Sequence, residues 1–411
     1  MKPEHSIKVP RLYKVASSVL KSYQSGQGSV KTLVFEARKK HPNVKALFAL
    51  VNESLKHEQN IKSAFEKLQI METEKPLDFT LALILTVELV FGKKALPGQS
   101  KPILTIQKYE DKLKELIDEN PEEPEEIKHP RYVRINLLKT TKDLILLHLH
   151  KTGFKFQSTP KNYDDFLALA QALEEKQFMC DFHMPEYLLV FHPKTSFFES
   201  KLYSNGSLIL QDKASCLSVA SLAPLENSVI LDACSAPGMK TSHAAMSKPQ
   251  KLIAIERNRK RFKILNQMMK KHCDKSSKTQ LKFKNQDFLK LKHEEFQDVE
   301  YIIADPTCSG SGTKNVKITD LAKLSNLQCM ILKHALKFPA VKKVVYSTCS
   351  INVEENENVV QEVLKEMPDF QLVKALESWQ RRGLNGLDKC IRVDPEIDLC
   401  TGFFVAVFER K

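Results

Sequence analysis

The chain has 411 residues, of which 42% are hydrophobic and 27% charged, with a formal net charge of +13 at pH 7. A chain of this length forms two or three domains with a sizeable core, so it does not need the disulfides or structural metals of very small proteins. The nine cysteines contain no Cys-x-x-Cys pair, which argues against a disulfide framework or a zinc site and indicates a reducing compartment.

The N-terminal part of the chain is basic at its start and helical in pattern. Residues 1–50 hold ten Lys or Arg against two acids and no apolar signal-peptide core. From residue 11 to 117 the apolar residues recur at helical spacing, which predicts an all-helical domain over 1–117. The most apolar stretch, 79–91, is shorter than a membrane span and contains Glu88, so it predicts a buried helix. We expect no membrane segment and a cytosolic or nuclear location.

Two further segments precede the C-terminal half. Residues 118–129 are rich in acids and contain two prolines, a composition that opposes regular structure and predicts a linker. Residues 130–207 alternate between strand-like runs at 132–136 and 186–191 and a helical run at 141–152. This pattern predicts a small α+β module.

Apolar runs alternate with amphipathic helical segments in the remainder, 208–411, at 229–231, 252–255, 301–304, 344–346 and 403–408. That rhythm predicts an α/β domain with a mainly parallel sheet covered by helices on both faces. Ligands of such sheets bind beyond the carboxyl ends of the strands. Residues 251–284 hold twelve Lys or Arg against two acids and, like 1–50, can bind a polyanion. A solvated helix face explains either cluster alone equally well.

A turn with small side chains follows the first strand of this sheet, in Asp232-Ala-Cys-Ser-Ala-Pro-Gly238. The single glycine tolerates positive φ and allows a ligand close to the backbone. A phosphate-binding loop would carry several glycines and a Gly-Lys-Ser/Thr ending, whereas Asp232 suits a cofactor with a cationic amino group. S-adenosylmethionine fits this description and a pyrophosphate does not. A plain strand-to-helix connection is an equally good explanation of the turn alone.

Two acids follow the next strands. Glu256 comes after the second strand, where an acid commonly binds ribose hydroxyls, and Asp287 comes after the third, near the expected place of an adenine. For Glu256 alone, a solvated helix-capping role is the better explanation.

Two cysteines, Cys308 and Cys349, lie in Ser/Thr/Gly-rich turns directly after apolar strands. Carbon 5 of cytosine is a poor nucleophile, so its methylation requires a thiolate to add first at carbon 6. A second group must then help to remove the carbon 5 proton. Asp305 lies three residues before Cys308 and can hydrogen-bond or protonate the ring nitrogen as charge develops. These residue types therefore point to covalent chemistry on a pyrimidine.

The six other cysteines considered and the three acids after Cys349 are interpreted as structural residues. A cysteine at a strand end is most often a small buried hydrophobe. We assign that role to Cys180, Cys216, Cys273, Cys329, Cys390 and Cys400. The acids after Cys349, namely Glu354, Glu355 and Glu357, are interpreted as caps of a helix start.

Together these segments resemble the RNA cytosine-5 methyltransferases of the Sun (Fmu-like) family. The matching motifs are Asp-x-Cys-x-Ala-Pro-Gly-x-Lys-Thr at 232–241, Asp-Pro-x-Cys-Ser-Gly at 305–310 and Ser-Thr-Cys-Ser at 347–350. Ser204-Asn205-Gly206, the Gln-Asp-Lys-Ala-Ser run at 211–215 and the Gly-Phe-Phe-Val-Ala-Val run at 402–407 extend the resemblance over roughly 130–411. The helical N-terminal domain and the Glu-Glu-Asn-Glu-Asn run are most similar to the eukaryotic members that modify large-subunit ribosomal RNA in the nucleolus.

The resemblance implies roles for individual residues. Cys349 is the nucleophile and Cys308 helps to release the product, and the presence of both cysteines indicates RNA and not DNA as the substrate. The S-adenosylmethionine contacts of the family carry over to Cys234, Ser235, Ala236, Pro237, Gly238, Met239, Lys240, Glu256, Arg261, Asp287 and Asp305. Ser235 and Met239 depart from the residues usual there, and Met239 would narrow the methionine side of the pocket.

The resulting hypothesis is a Rossmann-like, S-adenosylmethionine-dependent enzyme that methylates carbon 5 of a cytosine in large-subunit ribosomal RNA. The module 130–207 corresponds to the RNA-recognition-like region of the family and would hold the RNA together with the basic N-terminus, in a monomer without a metal, in the nucleolus. A transfer RNA methyltransferase and a catalytically inactive RNA-binding ribosome assembly factor remain as alternatives, although the intact Asp305, Cys308 and Cys349 argue against the inactive factor.

Overall fold

The computed structural model describes residues 8–25, 30–118, 129–273, 278–313 and 320–411. The chain divides into two compact units, Met1–Glu126 and Ile127–Lys411. The predicted acidic linker lies almost entirely outside the described residues. Among the helices that are described, none is long and apolar enough to cross a membrane. The described ranges also contain no cluster of three or more His, Cys, Asp or Glu side chains arranged to hold a metal ion.

The first unit is entirely helical over its described residues, as its apolar spacing predicts. Its helices are α1 (Arg11–Gln24), α2 (Val30–Ala37), α3 (Val44–Lys56), α4 (Glu58–Lys67), α5 (Ile70–Thr73), α6 (Phe79–Val90), α7 (Lys101–Lys108) and α8 (Glu110–Asp118). Helix α6 is apolar on all sides and packs against α1, α3, α4, α7 and α8, so it forms the centre of the core. Its single acid, Glu88, is buried and accepts a hydrogen bond from the Tyr13 hydroxyl at 3.3 Å.

The second unit begins with a five-stranded sheet in the order β2-β3-β4-β1-β5. Its elements are β1 (Arg131–Ile135), α9 (Lys142–Lys151), β2 (Lys155–Phe156), α10 (Tyr163–Ala172), β3 (Gln177–Cys180), β4 (Leu188–Phe191), α11 (Lys201–Ser204) and β5 (Leu208–Leu210). Strand β1 lies between β4 and β5 and is antiparallel to both. The sequence pattern predicted β1, α9 and β4 but not the intervening β2, α10 and β3.

An eight-stranded sheet forms the rest of the unit. Its elements are α12 (Lys213–Leu222), β6 (Val229–Asp232), α13 (Met239–Ala244), β7 (Lys251–Ile255), α14 (Arg259–His272), β8 (Gln280–Lys284), β9 (Tyr301–Ala304), α15 (Leu321–Leu336), β10 (Lys343–Thr348), α16 (Glu357–Glu366), β11 (Phe370–Val373), β12 (Ile391–Val393) and β13 (Phe403–Arg410). The strand order is β11-β13-β10-β9-β6-β7-β8, with β12 paired to β13. Strands β6 to β10 are parallel and β13 is antiparallel to β10, which confirms the predicted α/β fold.

Helices cover both faces of this sheet. Leu217 of α12, Ala244 of α13 and Leu265 of α14 belong to one hydrophobic core, whereas residues of α15 and α16 belong to another. The strand order reverses between β6 and β9, which creates a crevice at the carboxyl ends of these neighbours. The fold therefore places the ligand-binding edge where Asp232, Glu256, Asp305 and Cys349 follow their strands.

Candidate active site

A cavity of about 480 Å³ lies at this edge. It is lined by Cys234, Ala236, Pro237, Glu256, Arg261, Asp287, Asp305, Cys308 and Cys349 among the residues expected from the sequence. Residues that the sequence did not indicate complete the wall, and they include the apolar side chains of Phe288, Leu289, Leu327 and Ile331. Three carboxylates and an apolar wall thus share one cavity with both cysteines.

Four of the expected residues stand behind the cavity wall. The Ser235 hydroxyl donates to the Ile255 carbonyl at 2.8 Å and so fixes the turn to β7. Gly238 has φ +111°, and a Cβ there would lie 3.2 Å from the Leu265 side chain of α14. Met239 and Lys240 also lie outside the cavity lining. The expected narrowing of the pocket by Met239 has no counterpart in this geometry.

Asp232 holds the turn from within. It is 1% exposed, and one oxygen of its carboxylate accepts a hydrogen bond from the Thr241 hydroxyl at 2.6 Å. Burial raises the pKa of Asp232 to about 7, with the nearby Asp305 adding to the effect and the Thr241 hydrogen bond opposing it. Asp232 does not line the cavity. Its carboxylate supports the turn through the Thr241 hydroxyl, and contact with a cationic cofactor group stays a prediction.

Glu256 and Asp287 face the cavity from the ends of β7 and β8. Glu256 is 4% exposed and accepts a hydrogen bond from the Asn258 backbone, and Arg261 lies 3.6 Å from its second oxygen. The guanidinium of Arg261 also donates to the Ala236 carbonyl and so ties α14 to the turn. One oxygen of Asp287 accepts from the Leu289 backbone at 3.1 Å. Each acid keeps an oxygen that can accept from a ligand hydroxyl or amino group.

The two cysteine sulfurs, on Cys308 and Cys349, lie 3.1 Å apart. The Cys308 thiol as donor lowers the pKa of Cys349, as does Lys240, whereas burial and Asp305 oppose this shift. The pKa of Cys308 is raised by the same hydrogen bond and by burial. Because Lys240 acts on Cys349, the thiolate of the pair is favoured on Cys349.

Lys240 and Asp305 form an ion pair of 2.8 Å beside Cys349. The Ser347 hydroxyl donates to the other oxygen of Asp305 at 2.8 Å, so both carboxylate oxygens have partners. Burial opposes the charge of Lys240, but Asp305 outweighs this effect and raises the pKa of the ammonium group. The site therefore holds a positive charge next to the sulfur on which ionisation is favoured.

Glu355 joins the two cysteine turns. Its carboxylate is fully buried and accepts hydrogen bonds from the hydroxyls of Ser309 and Ser350, which directly follow Cys308 and Cys349, at 2.5 and 2.6 Å. The Ser309 backbone and the Gln328 amide donate to its other oxygen, each at 2.9 Å. Burial opposes ionisation, but these donors outweigh it and lower the pKa of Glu355.

The sequence interpretation of Glu355 as a helix cap is wrong, because its carboxylate oxygens accept hydrogen bonds from the two cysteine turns. Glu357 is likewise not a simple cap, since it is buried and paired with Arg392 at 3.0 Å. Except for Ser350, these partners are 27 to 46 residues away, where no local pattern shows them. The only sequence signal is the density of Glu and Asn after Cys349.

A buried arginine, Arg134 of β1, reaches the cofactor turn from the first sheet. Its guanidinium donates to Gln211 at 2.7 Å, to the Ser242 hydroxyl at 2.7 Å and to the Met239 carbonyl at 3.4 Å. Burial without a carboxylate partner lowers the pKa of Arg134 to about 10. Sequence reasoning did not identify this residue, which fixes the start of α13 behind the site.

Comparison with known families finds matches to three parts of the chain. The family described as 16S rRNA methyltransferase RsmB/F matches residues 219–409. The ferredoxin-like domain of NOL1/NOP2/Sun domain family member 5 matches 129–211, and the N-terminal domain of the same family member matches 45–118.

Curated relatives align over nearly the whole chain. A 28S rRNA (cytosine-C(5))-methyltransferase of Drosophila melanogaster is 36% identical over 100% of this chain and 98% of its own length. A protein of the same name in Mus musculus is 35% identical over 97% of this chain and 91% of its own length. The 25S rRNA (cytosine-C(5))-methyltransferase rcm1 of Schizosaccharomyces pombe is 32% identical over 96% of this chain and 90% of its own length.

Solved structures share the fold. A methyltransferase homolog protein from Pyrococcus horikoshii superposes with a TM-score of 0.55 at 21% identity, covering 84% of this chain and 99% of its own. NSun6 from Pyrococcus horikoshii superposes with a TM-score of 0.51 at 19% identity, covering 74% of this chain and 97% of its own.

Proposed function

Because this chain belongs to the NOL1/NOP2/Sun domain family of rRNA cytosine-C5 methyltransferases, we propose that it methylates a cytosine of large-subunit ribosomal RNA through a covalent adduct on Cys349. It is an S-adenosylmethionine-dependent RNA (cytosine-5-)-methyltransferase. The covalent step is supported by the sulfurs of Cys308 and Cys349, which lie 3.1 Å apart beside the Lys240–Asp305 ion pair.

The cavity suits S-adenosylmethionine. When bound, this cofactor supplies an activated methyl group on a sulfonium, and it carries a cationic amino group, ribose hydroxyls and an adenine. We assign the ribose hydroxyls to Glu256 and the adenine to Asp287 and the apolar wall of Phe288, Leu289, Leu327 and Ile331. Carboxylates that face the cavity favour a cation and repel a pyrophosphate. Cys234, Ala236 and Pro237 supply the backbone side of the cavity, and Ser235, Gly238, Met239 and Lys240 hold that turn in place.

The first step is nucleophilic attack. The Cys349 thiolate forms a bond to carbon 6 of the cytosine, and the displaced π electrons make carbon 5 nucleophilic while charge builds on the ring nitrogen and oxygen. As this charge builds, the ring nitrogen takes up a proton from solvent, and it returns that proton to solvent once carbon 5 has been methylated. We assign Asp305 to accept the hydrogen bond of the protonated ring nitrogen and Lys240 to supply a compensating positive charge, since their 2.8 Å ion pair lies beside Cys349. Carbon 5 then takes the methyl group.

The second step is release. The carbon 5 proton leaves, the carbon 6–sulfur bond breaks, its electrons return Cys349 to the thiolate, and the proton passes to solvent. We assign removal of this proton to Cys308. In the resting site its pKa is raised by donation to Cys349. Once Cys349 is a neutral thioether, that cause is gone and Cys308 can ionise.

We also propose an oligomeric state, a location and an RNA-binding role for the other domains. We propose a monomer that acts in the nucleolus on ribosomal RNA or pre-ribosomal particles. We further propose that the helical domain 1–117 and the module 130–207 help the catalytic domain 208–411 to hold the RNA. The separate family matches at 45–118, 129–211 and 219–409 support this division.

A labelling experiment tests enzyme and substrate together. The purified chain is incubated with labelled S-adenosylmethionine and total RNA that lacks the modification, and the RNA is fractionated by size and digested to nucleosides. We expect label in 5-methylcytosine of the large ribosomal RNA and none with Cys349→Ala. Label in transfer RNA would reassign the substrate. No label in naked RNA or in pre-ribosomal particles would contradict the proposed activity.

A further inference from the structure

Three segments that are far apart in the sequence meet at a buried asparagine, Asn136, just after β1. Its fully buried side-chain amide donates to the Gly206 carbonyl at 2.9 Å and to the His272 carbonyl at 2.7 Å. Gly206 has φ +82°, and a Cβ there would lie 2.5 Å from the Lys271 carbonyl. The five-stranded sheet, the Ser-Asn-Gly segment and the end of α14 are therefore packed without freedom to shift.

Two lysines, Lys139 and Lys271, emerge from this junction. The Lys139 ammonium donates to the Asn205 carbonyl at 2.8 Å, and the Lys271 ammonium lies 4.1 Å above the ring of Tyr203. Within the described residues neither forms an ion pair with a carboxylate. Partial burial and the neighbouring charge of Lys139 lower the pKa of Lys271. Two cations held close together without a counter-ion form a site that an anion would stabilise.

Aromatic surface adjoins the lysines. The side chain of Phe198 is 66% exposed, and its ring meets that of Tyr203 edge to face at a centroid distance of 5.6 Å. An exposed phenylalanine beside unneutralised lysines combines the two features by which proteins hold single-stranded nucleic acid, a base-stacking ring and a cationic contact to the backbone.

Helix α14 links this junction to the active site. Arg261, near its start, bonds the cofactor turn, and Lys271 lies ten residues later, about 15 Å along the helix axis. The exposed side of the helix between them carries Lys263 and Lys270, which have no acidic partner in the part of the chain that the structure describes. Helix α14 therefore carries further exposed cations between the junction and the cavity.

We propose that Lys139, Lys271, Tyr203 and Phe198 form an RNA anchor outside the catalytic cavity, in which the lysines bind a phosphate and Phe198 stacks on an unpaired base. The anchor rests on the proposed function only in that the occupant is RNA. Charge and stacking surface together favour RNA over an acidic protein segment, which would use the lysines and leave the exposed ring without a base to stack on.

The test compares two double variants of the full-length chain. Lys139→Gln with Lys271→Gln removes the anchor cations, whereas Lys337→Gln with Lys365→Gln removes two exposed lysines from the helices on the opposite face of the sheet. Binding of unmodified large-subunit ribosomal RNA is measured at several salt concentrations. For the anchor variant we expect about tenfold weaker binding and a slope of log K against log salt reduced by about 0.7, the contribution of the single phosphate contact that the two lysines share. The control variant should match the wild type.

A second variant separates stacking from charge. Phe198→Leu should weaken RNA binding several-fold, because a base stack is worth about 1–3 kcal/mol, and should leave the salt slope unchanged. Folding is unaffected because the ring is largely exposed. S-adenosylmethionine affinity should be unchanged in all these variants, and the KM for RNA should rise in the anchor variants but not in the control.

Equal losses in both double variants, or none in either, would overturn the anchor. If the variants bind RNA and methylate it like the wild type, the anchor is wrong and the enzyme assignment stands. If the wild type binds RNA but does not methylate it, the activity fails while the binding comparison still decides the anchor.

Discussion

At the scale of single residues, the two cysteines differ because their neighbours differ. Lys240 lowers the pKa of Cys349 and the Cys308 thiol supplies a hydrogen bond, whereas the pKa of Cys308 is raised by giving that hydrogen bond. Ionisation is therefore favoured on the sulfur that the proposed mechanism uses for attack and disfavoured on the sulfur assigned to release.

This asymmetry gives a pH dependence. A lowered pKa increases the thiolate fraction of Cys349 at a given pH. The apparent pKa of the rising limb in a plot of kcat/KM against pH should therefore lie below 9.0, the ordinary cysteine value. Lys240→Gln removes the nearby cation and leaves Asp305 unpaired, and both changes raise the pKa of Cys349. We expect the limb to move up by about one pH unit or more. An unshifted limb in this variant would show that Lys240 does not act on the nucleophile.

Glu355 should act as a positioning residue. Glu355→Gln replaces a carboxylate that accepts from five donors with an amide that must turn its NH₂ toward some of them. We expect destabilisation by about 1.5–3 kcal/mol, the range for hydrogen bonds to a charged group. We also expect a fall in kcat with little change in the affinity for S-adenosylmethionine.

Glu362→Gln is the matched control, because Glu362 lies in α16 nearby and forms a surface ion pair with Lys333. It should lose at most about 1 kcal/mol and keep its kcat. Chemical denaturation and steady-state kinetics measure both quantities. Equal kcat values for the two variants would refute a role of Glu355 in holding the cysteine turns.

At the scale of elements, the site exists because four parallel strands end at one edge. Apolar runs in the sequence indicated β6, β7, β9 and β10, and each is followed by a chemically distinctive residue, so the cofactor turn and both cysteines could be predicted. Arg134 and Glu355 could not, because their partners lie on other elements up to 108 residues away. Periodicity reports which face is buried, but it does not report which distant donor a buried polar group meets.

A glycine comparison tests the packing of β1, α11 and α14. Gly206 and Gly153 both have positive φ, +82° and +86°, but only at Gly206 would a Cβ meet backbone, 2.5 Å from the Lys271 carbonyl. Gly153→Ala should cost about 1–2 kcal/mol from the left-handed backbone alone. Gly206→Ala should cost clearly more in urea unfolding, since backbone must move to make room. Equal costs would mean that the junction is not tightly packed.

At the scale of the whole molecule, the chain separates into a helical unit and an α/β unit with their own cores. All described residues that line the active-site cavity belong to the second unit. Composition and spacing predicted this division of helical and α/β parts, because an all-helical pattern and an alternating pattern bury their apolar residues at different periods. The role of the helical unit does not follow from such patterns.

A truncation tests whether the α/β unit is sufficient for cofactor binding. A chain of residues 127–411 should fold and bind S-adenosylmethionine with an affinity within a few-fold of the full-length chain, because it contains the whole described cavity. Calorimetric titration of both chains measures this, with circular dichroism as the control for folding. A folded fragment that does not bind the cofactor would show that the first unit contributes to the site.

The most direct test of the covalent account is the fate of the adduct in Cys308→Ala. This variant keeps the Cys349 nucleophile but lacks the sulfur that lies 3.1 Å away and is assigned to release. Incubated with S-adenosylmethionine and large-subunit ribosomal RNA, it should accumulate a protein–RNA species that survives denaturing electrophoresis, and the double variant with Cys349→Ala should not. A stable adduct that still forms without Cys349, or the absence of any adduct in a folded Cys308→Ala protein, would contradict the assignment of attack to Cys349 and release to Cys308.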